Sequence, residues 1–160
     1  MTGLFSIHCD PKWLQEFRSA AKKKFPREIY GVFLGEMVEN RVLEIEKLVI
    51  CPPEIGSASQ WEVKIPNCWL QKVAREAKSA GLSPLGDIHT HCAPRGTATY
   101  AEPVPSKGDW DSLGHFQRLL GPTYSFMAVM SLNAGRQKLR SDVKFFPVWN
   151  QIDITWRKDD

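Results

Sequence analysis

Two histidines one residue apart, His89 and His91, close the run Gly86-Asp87-Ile88-His89-Thr90-His91 and are the side chains best suited to chemistry. Alternate residues of a strand share a face, so a strand here points both imidazoles the same way. Two imidazoles on one face can hold a single transition metal. An H-x-H pair alone is more often two half-buried or surface histidines, so the pair needs partners. A hydrolytic zinc site takes three protein ligands and leaves one position open for water. Asp109, in Ser106-Lys107-Gly108-Asp109, can supply the third as a carboxylate. The same four residues read as a capping box at a helix start, and the two roles are compatible, because a capped first turn holds Asp109 rigidly. Such a site also needs a general base. Glu28, in Pro26-Arg27-Glu28-Ile29-Tyr30-Gly31-Val32-Phe33-Leu34-Gly35, is the candidate, although one glutamate before a strand is by itself only a solvated charge.

The elements that must position these residues follow from periodicity and punctuation. Asp10-Pro11 is an N-cap with proline in the first turn, and Trp13, Leu14, Phe17 and Ala21 recur at helical spacing until Phe25-Pro26. Ile29 to Leu34 is predicted as a strand ended by Gly35. A turn near Glu39-Asn40 leads to a second strand from Val42 to Ile50. Cys51 to Gln60 reads as a loop and Trp61 to Ile65 as a short strand. Pro66 opens a helix with the apolar face Trp69, Leu70, Val73 and Ala77, ending at Gly81. Leu85 to His91 is a strand that delivers the two histidines to its end, where rigidity meets access. Cys92 to Pro105 has no period and is expected to be a loop that closes over a ligand. Ser106 begins a third helix with Trp110, Leu113, Phe116 and Leu120 on one side, and strands close the chain at Tyr124 to Leu132, Val143 to Val148 and Ile152 to Trp156. Trp13, Trp69 and Trp110 are expected on buried helix faces. The result is one α/β domain over residues 1–160, a mixed β-sheet covered by helices.

Composition excludes several classes. With 21 basic and 18 acidic residues the formal charge is +3, and the one basic cluster, Lys22 to Lys24, falls where a helix end favours cations. No nucleic-acid surface is expected. No run reaches the roughly 18 apolar residues of a membrane span, and no signal peptide is evident, so a cytoplasmic setting is the expectation. Cys9, Cys51, Cys68 and Cys92 form no C-x-x-C and are read as free thiols. His8 and His115 are read as structural or exposed.

Taken together, the order Glu, H-x-H, S-x-x-D resembles the JAMM motif of the MPN (JAB-type) domain metalloproteases. The matching residues are Glu28 with Gly31, Leu34 and Gly35, then His89-Thr90-His91, then Ser106 and Asp109. The resemblance spans about Leu14 to Leu132. It implies that His89, His91 and Asp109 bind Zn²⁺, that Glu28 is the general base, and that Ser106 donates a hydrogen bond to the oxyanion. It also implies a peptidase or isopeptidase acting after the C-terminal tail of ubiquitin or a ubiquitin-like protein. The chain is similar to standalone prokaryotic members, which accompany E1- or E2-like conjugation partners and antiviral defence operons. Two departures stand out. Fourteen residues separate His91 from Ser106, more than the family usually has, which leaves Asp111 as an alternative to Asp109. Cys92 stands where the family commonly has proline, and alternation turns it away from the histidine face. A metallo-β-lactamase would need H-x-H-x-D-H, a nucleobase deaminase H-x-E with a later P-C-x-x-C, and an amidohydrolase barrel about 250 residues. A non-catalytic MPN scaffold is the alternative of a different class.

Overall fold

The computed structural model describes residues 5–39, 42–55, 57–58, 63–96, 100–148 and 154–158. Asp10 accepts a hydrogen bond from the Lys12 amide and starts α1, Pro11–Lys24, whose last turn carries Lys22, Lys23 and Lys24. β2, Tyr30–Val38, and β3, Val42–Ile50, pair antiparallel with a register shift at Leu34/Gly35. At that shift a Cβ on Gly35 would run into the Glu44 backbone carbonyl, so the two strands approach as only glycine permits. α2, Asn67–Ser79, buries Trp69, Leu70, Val73 and Ala77, the stripe its spacing predicts. β6, Ser83–Ala93, runs two residues further at each end than expected. α3, Lys107–Leu120, then connects it to β7, Phe126–Ala134.

Seven strands form one mixed sheet in the order β8-β7-β6-β2-β3-β1-β9, which agrees with the predicted architecture. Here β8 is Leu139–Pro147, β9 is Ile154–Lys158, and β1 is Phe5–Cys9. β1 was not expected; it is held by parallel pairing to β3 and β9, a long-range relation. A separate ribbon joins β4, Ser57–Ala58, to β5, Val63–Lys64, inside segments read as a loop and a short strand. The closing expectation at residues 152 and 153 lies outside the described residues.

β6 is the strand that matters for function. It pairs antiparallel with β2 and parallel with β7, and helices cover both of its faces, so nearly every residue of it is buried. On one face, Phe17 and Ala21 of α1 pack with Ile88, Cys92, Phe33, Phe126 and Met130. On the other, Trp69, Leu70 and Val73 of α2 and Leu120 of α3 pack with Tyr30, Val32, Tyr124 and Met127. Gly86 lies against the Phe126 ring, where a Cβ would overlap it. That close approach brings β6 and β7 together just before the histidines. Trp110 departs from expectation: it is 43% exposed, because the first turn of α3 projects past the apolar stripe that Leu113, Phe116 and Leu120 continue.

Candidate metal centre

β6 carries His89 and His91 to the face covered by α2 and α3, and the first turn of α3 brings Asp109 to them. That turn is a capping box. Ser106 Oγ accepts from the Asp109 amide at 3.1 Å, and the Ser106 amide donates to Asp109 Oδ2 at 2.7 Å. The same Oδ2 lies 3.1 Å from His89 Nε2 and 3.2 Å from His91 Nε2, and the two Nε2 atoms are 3.0 Å apart. Three ligand atoms thus form a nearly equilateral triangle. The edges of a tetrahedron with zinc-to-ligand arms of 2.0–2.1 Å are about 3.3 Å, so the triangle is close to one face of such a polyhedron. The donor set therefore fits a metal ion, and among the described residues it is the one such group of three.

The surroundings fix each side chain. A carbonyl oxygen only accepts, so the 3.2 Å contact of His91 Nδ1 with the Glu102 carbonyl makes Nδ1 the donor; in the protonated ring Nε2 donates to Asp109, and in the neutral ring its lone pair faces the triangle. Burial opposes a proton on His91. The hydrogen bond and charge of Asp109, then the charge of Glu28, outweigh it and raise the imidazole pKa. At Asp109 burial opposes the charge, but hydrogen bonds from both histidines, the His89 charge and the Ser106 amide hold the carboxyl far below the usual carboxylate range. Thr90 points to the opposite face of β6 and serves the site from there. Its Oγ1 accepts from the Ile29 amide at 2.9 Å and its own amide donates to the Ile29 carbonyl at 3.2 Å. Glu28, one residue earlier and 7% exposed, is thereby tied to the histidine strand.

Glu28, Ser106 and the three residues of the triangle all line one open cavity of about 660 Å³. Its apolar wall is Tyr30, Ile65, Phe116 and Met127, and Tyr100, 70% exposed, stands at its edge. Beneath His89 lies a polar cluster of Asp87, Tyr30 and Tyr124. Asp87 is 2% exposed and accepts from the Tyr30 hydroxyl at 2.9 Å. Burial, opposed by the His89 charge, pushes its carboxyl up to about 6. Burial and the Asp87 charge in turn raise the Tyr124 hydroxyl well above its ordinary value; the hydroxyl faces the Asp87 carboxyl, but Tyr124 Oη and Asp87 Oδ1 fall short of a well-formed hydrogen bond. Strand alternation was the signal that could have found Asp87, since it precedes His89 by two positions on the same face.

The remaining residues take quieter places. Asp111 pairs with Lys107 at 3.4 Å on the exposed side of α3, away from the triangle. Cys92 belongs to the core on the α1 face, and burial pushes its thiol up to about 11. All four cysteines are free. His8 bonds Glu44 at 2.7 Å and His115 bonds Asn67 at 2.7 Å, each as a structural contact. Among the described residues no helix is long and apolar enough to cross a membrane.

Comparison with known proteins agrees with this geometry. The solution structure of protein DSY2949 from Desulfitobacterium hafniense is similar over 96% of this chain and 94% of that one, with a TM-score of 0.57 at 18% identity, which speaks to the fold alone. No curated protein matches the chain. Residues 10–131 match the prokaryotic homologs of the JAB domain, a span that holds Glu28, both histidines, Ser106 and Asp109. With most of its length and the whole polar constellation inside that match, the chain belongs to the prokaryotic JAB-domain family, which includes peptidases.

Proposed function

We propose that the chain is a zinc-dependent peptidase or isopeptidase that cleaves after the C-terminal tail of a ubiquitin or ubiquitin-like protein. One observation carries the reading: three ligand atoms converge at the wall of an open cavity that Glu28 and Ser106 also line. His89, His91 and Asp109 would hold the ion. Zinc, when bound, supplies Lewis acidity toward water and the scissile carbonyl. Glu28 takes the proton of the attacking water and passes it to the departing amine. The Ser106 hydroxyl accepts from the Asp109 amide, so its own proton remains to be donated to the developing oxyanion. The tail enters as an extended segment, and the apolar wall of Tyr30, Ile65, Phe116 and Met127 receives its side chains.

The test is elemental analysis of the purified protein by mass spectrometry, followed by cleavage of ubiquitin-like fusions. About one zinc per chain is expected, absent from a His89→Ala/His91→Ala variant. Glu28→Gln should keep the zinc and lower cleavage by on the order of 10²–10⁴-fold. No zinc in the wild type after reconstitution would replace this reading with a non-catalytic scaffold. Stoichiometric iron in its place would move the site to another class of chemistry, which two histidines and one carboxylate also serve.

A further inference from the structure

The segment between His91 and the third helix is fastened to the sheet at one point. Asn133 lies on β7, two pairs beyond the His91–Ser131 pair, opposite Ala93 and so on the same face as His91. Its Oδ1 accepts from the Ala101 amide at 2.8 Å, and its Nδ2 donates to the Ala101 carbonyl at 2.9 Å. The carboxamide thus occupies both backbone groups of Ala101, as a neighbouring strand would. Only one orientation of the amide satisfies both bonds, and no other side chain of that size offers a donor and an acceptor in that arrangement. Asn133 is 8% exposed, so water does not readily replace it. The residue after Ala101 is Glu102, whose carbonyl receives the His91 Nδ1 proton. Three consecutive links therefore run from β7 through the loop to the imidazole.

We propose that Asn133 is a positioning residue for the metal centre: by clamping Ala101 it holds the Glu102 carbonyl at His91 and so fixes the ring and tautomer that present Nε2 to the ion. The proposal rests on the metal reading above. It also assigns the long connection a role other than the expected closing lid, because at Ala101 and Glu102 the chain is a fixed strut between sheet and ligand. Carbonyl or carboxylate partners of ligating histidines typically change metal affinity by 10- to 100-fold when lost, and Asn133 acts one link further out, so an effect of about tenfold is expected.

The experiment is a zinc competition titration against a chromophoric chelator, with wild type, Asn133→Leu and Asn133→Asp. Amide hydrogen exchange at Ala101 is followed in the same metal-free samples. Asn133→Leu leaves both Ala101 groups unpaired, whereas Asn133→Asp keeps the acceptor and sets a carboxylate against the Ala101 carbonyl. Asn133→Asp also serves if the leucine variant does not fold. The expected result is rapid Ala101 exchange and about tenfold weaker zinc binding in Asn133→Leu, with Asn133→Asp weakened to a lesser degree. A cobalt-substituted sample should show a shifted visible spectrum in the variants, which a merely structural asparagine would not produce. Zinc affinity within twofold of wild type in both variants, despite loss of Ala101 protection, would overturn the proposal. A wild type that protects Ala101 but binds no zinc would instead overturn the metal reading and with it this inference.

Discussion

The two faces of β6 use one strand for opposite purposes. Ile88, Thr90 and Cys92 point to the α1 side, where the core is almost wholly apolar and the Thr90 hydroxyl is paired with the Ile29 amide. Asp87, His89 and His91 point to the α2 and α3 side. Among the described residues, the three buried side-chain atoms without a well-formed hydrogen bond, Asp87 Oδ1, Tyr124 Oη and Ser131 Oγ, belong to that second side: Asp87 as part of the cavity wall, Tyr124 as part of the core under α2 and α3, Ser131 as the register partner of His91. Unpaired buried polar atoms each carry a desolvation penalty of about 1–3 kcal/mol. All three lie on the side of the sheet that bears the cavity, Asp87 in its wall, so among the described residues the unsatisfied groups gather on the face where a ligand would be handled.

This contrast can be broken by substitutions on either side. The largest effect is expected on the structural face. Ile88→Ala removes a fully buried side chain and should lower unfolding free energy by about 3 kcal/mol in denaturant melts, while zinc stoichiometry below the transition stays as in wild type. Loss of zinc in that variant would mean that the two faces are not separable.

On the functional face the sign should reverse. The folded pKa of Asp87, about 6, lies above its ordinary 3.8, so the folded metal-free protein holds this proton more tightly than the unfolded chain. Its stability is complete below about pH 4 and declines as pH rises toward 6, by about 2–3 kcal/mol in all. Asp87→Asn should therefore stabilise the metal-free protein above pH 6 and leave it unchanged at pH 4, as read from melts at the two pH values. Equal effects at both would show that the carboxylate bears no such penalty. The smallest effect is expected at the junction of helix and site. Ser106→Ala should cost about 1 kcal/mol of stability through the lost cap, and should weaken zinc binding because the Asp109 amide loses its Ser106 Oγ partner and the turn that carries the carboxylate loosens.

Much of this was readable in advance, for local reasons. The histidine pair was legible because a strand has period two, and Asp109 because the capping-box pattern marks a helix start within four residues. Glu28 became visible only through the family pattern, since the Ile29–Thr90 bond that ties its segment to the histidine strand spans 61 residues. Asn133 and Tyr124 carry no local signature at all: their partners, Ala101 and Asp87, are brought to them by the β6–α3–β7 crossover. Trp110 misled for a related reason, because helical spacing gives the direction of a side chain around its axis and not whether the neighbouring layer extends that far.

The capping box would give a metal held at this site its mode of release. Asp109 Oδ2 is at once an atom that could ligate a metal and the acceptor that closes the first turn of α3. Fraying of that turn and withdrawal of the third ligand are then a single motion, among the lowest-energy openings a helix has. Escape of the ion should follow the breathing of a helix end, and anything that docks on that end and stills it would lengthen the time the ion stays.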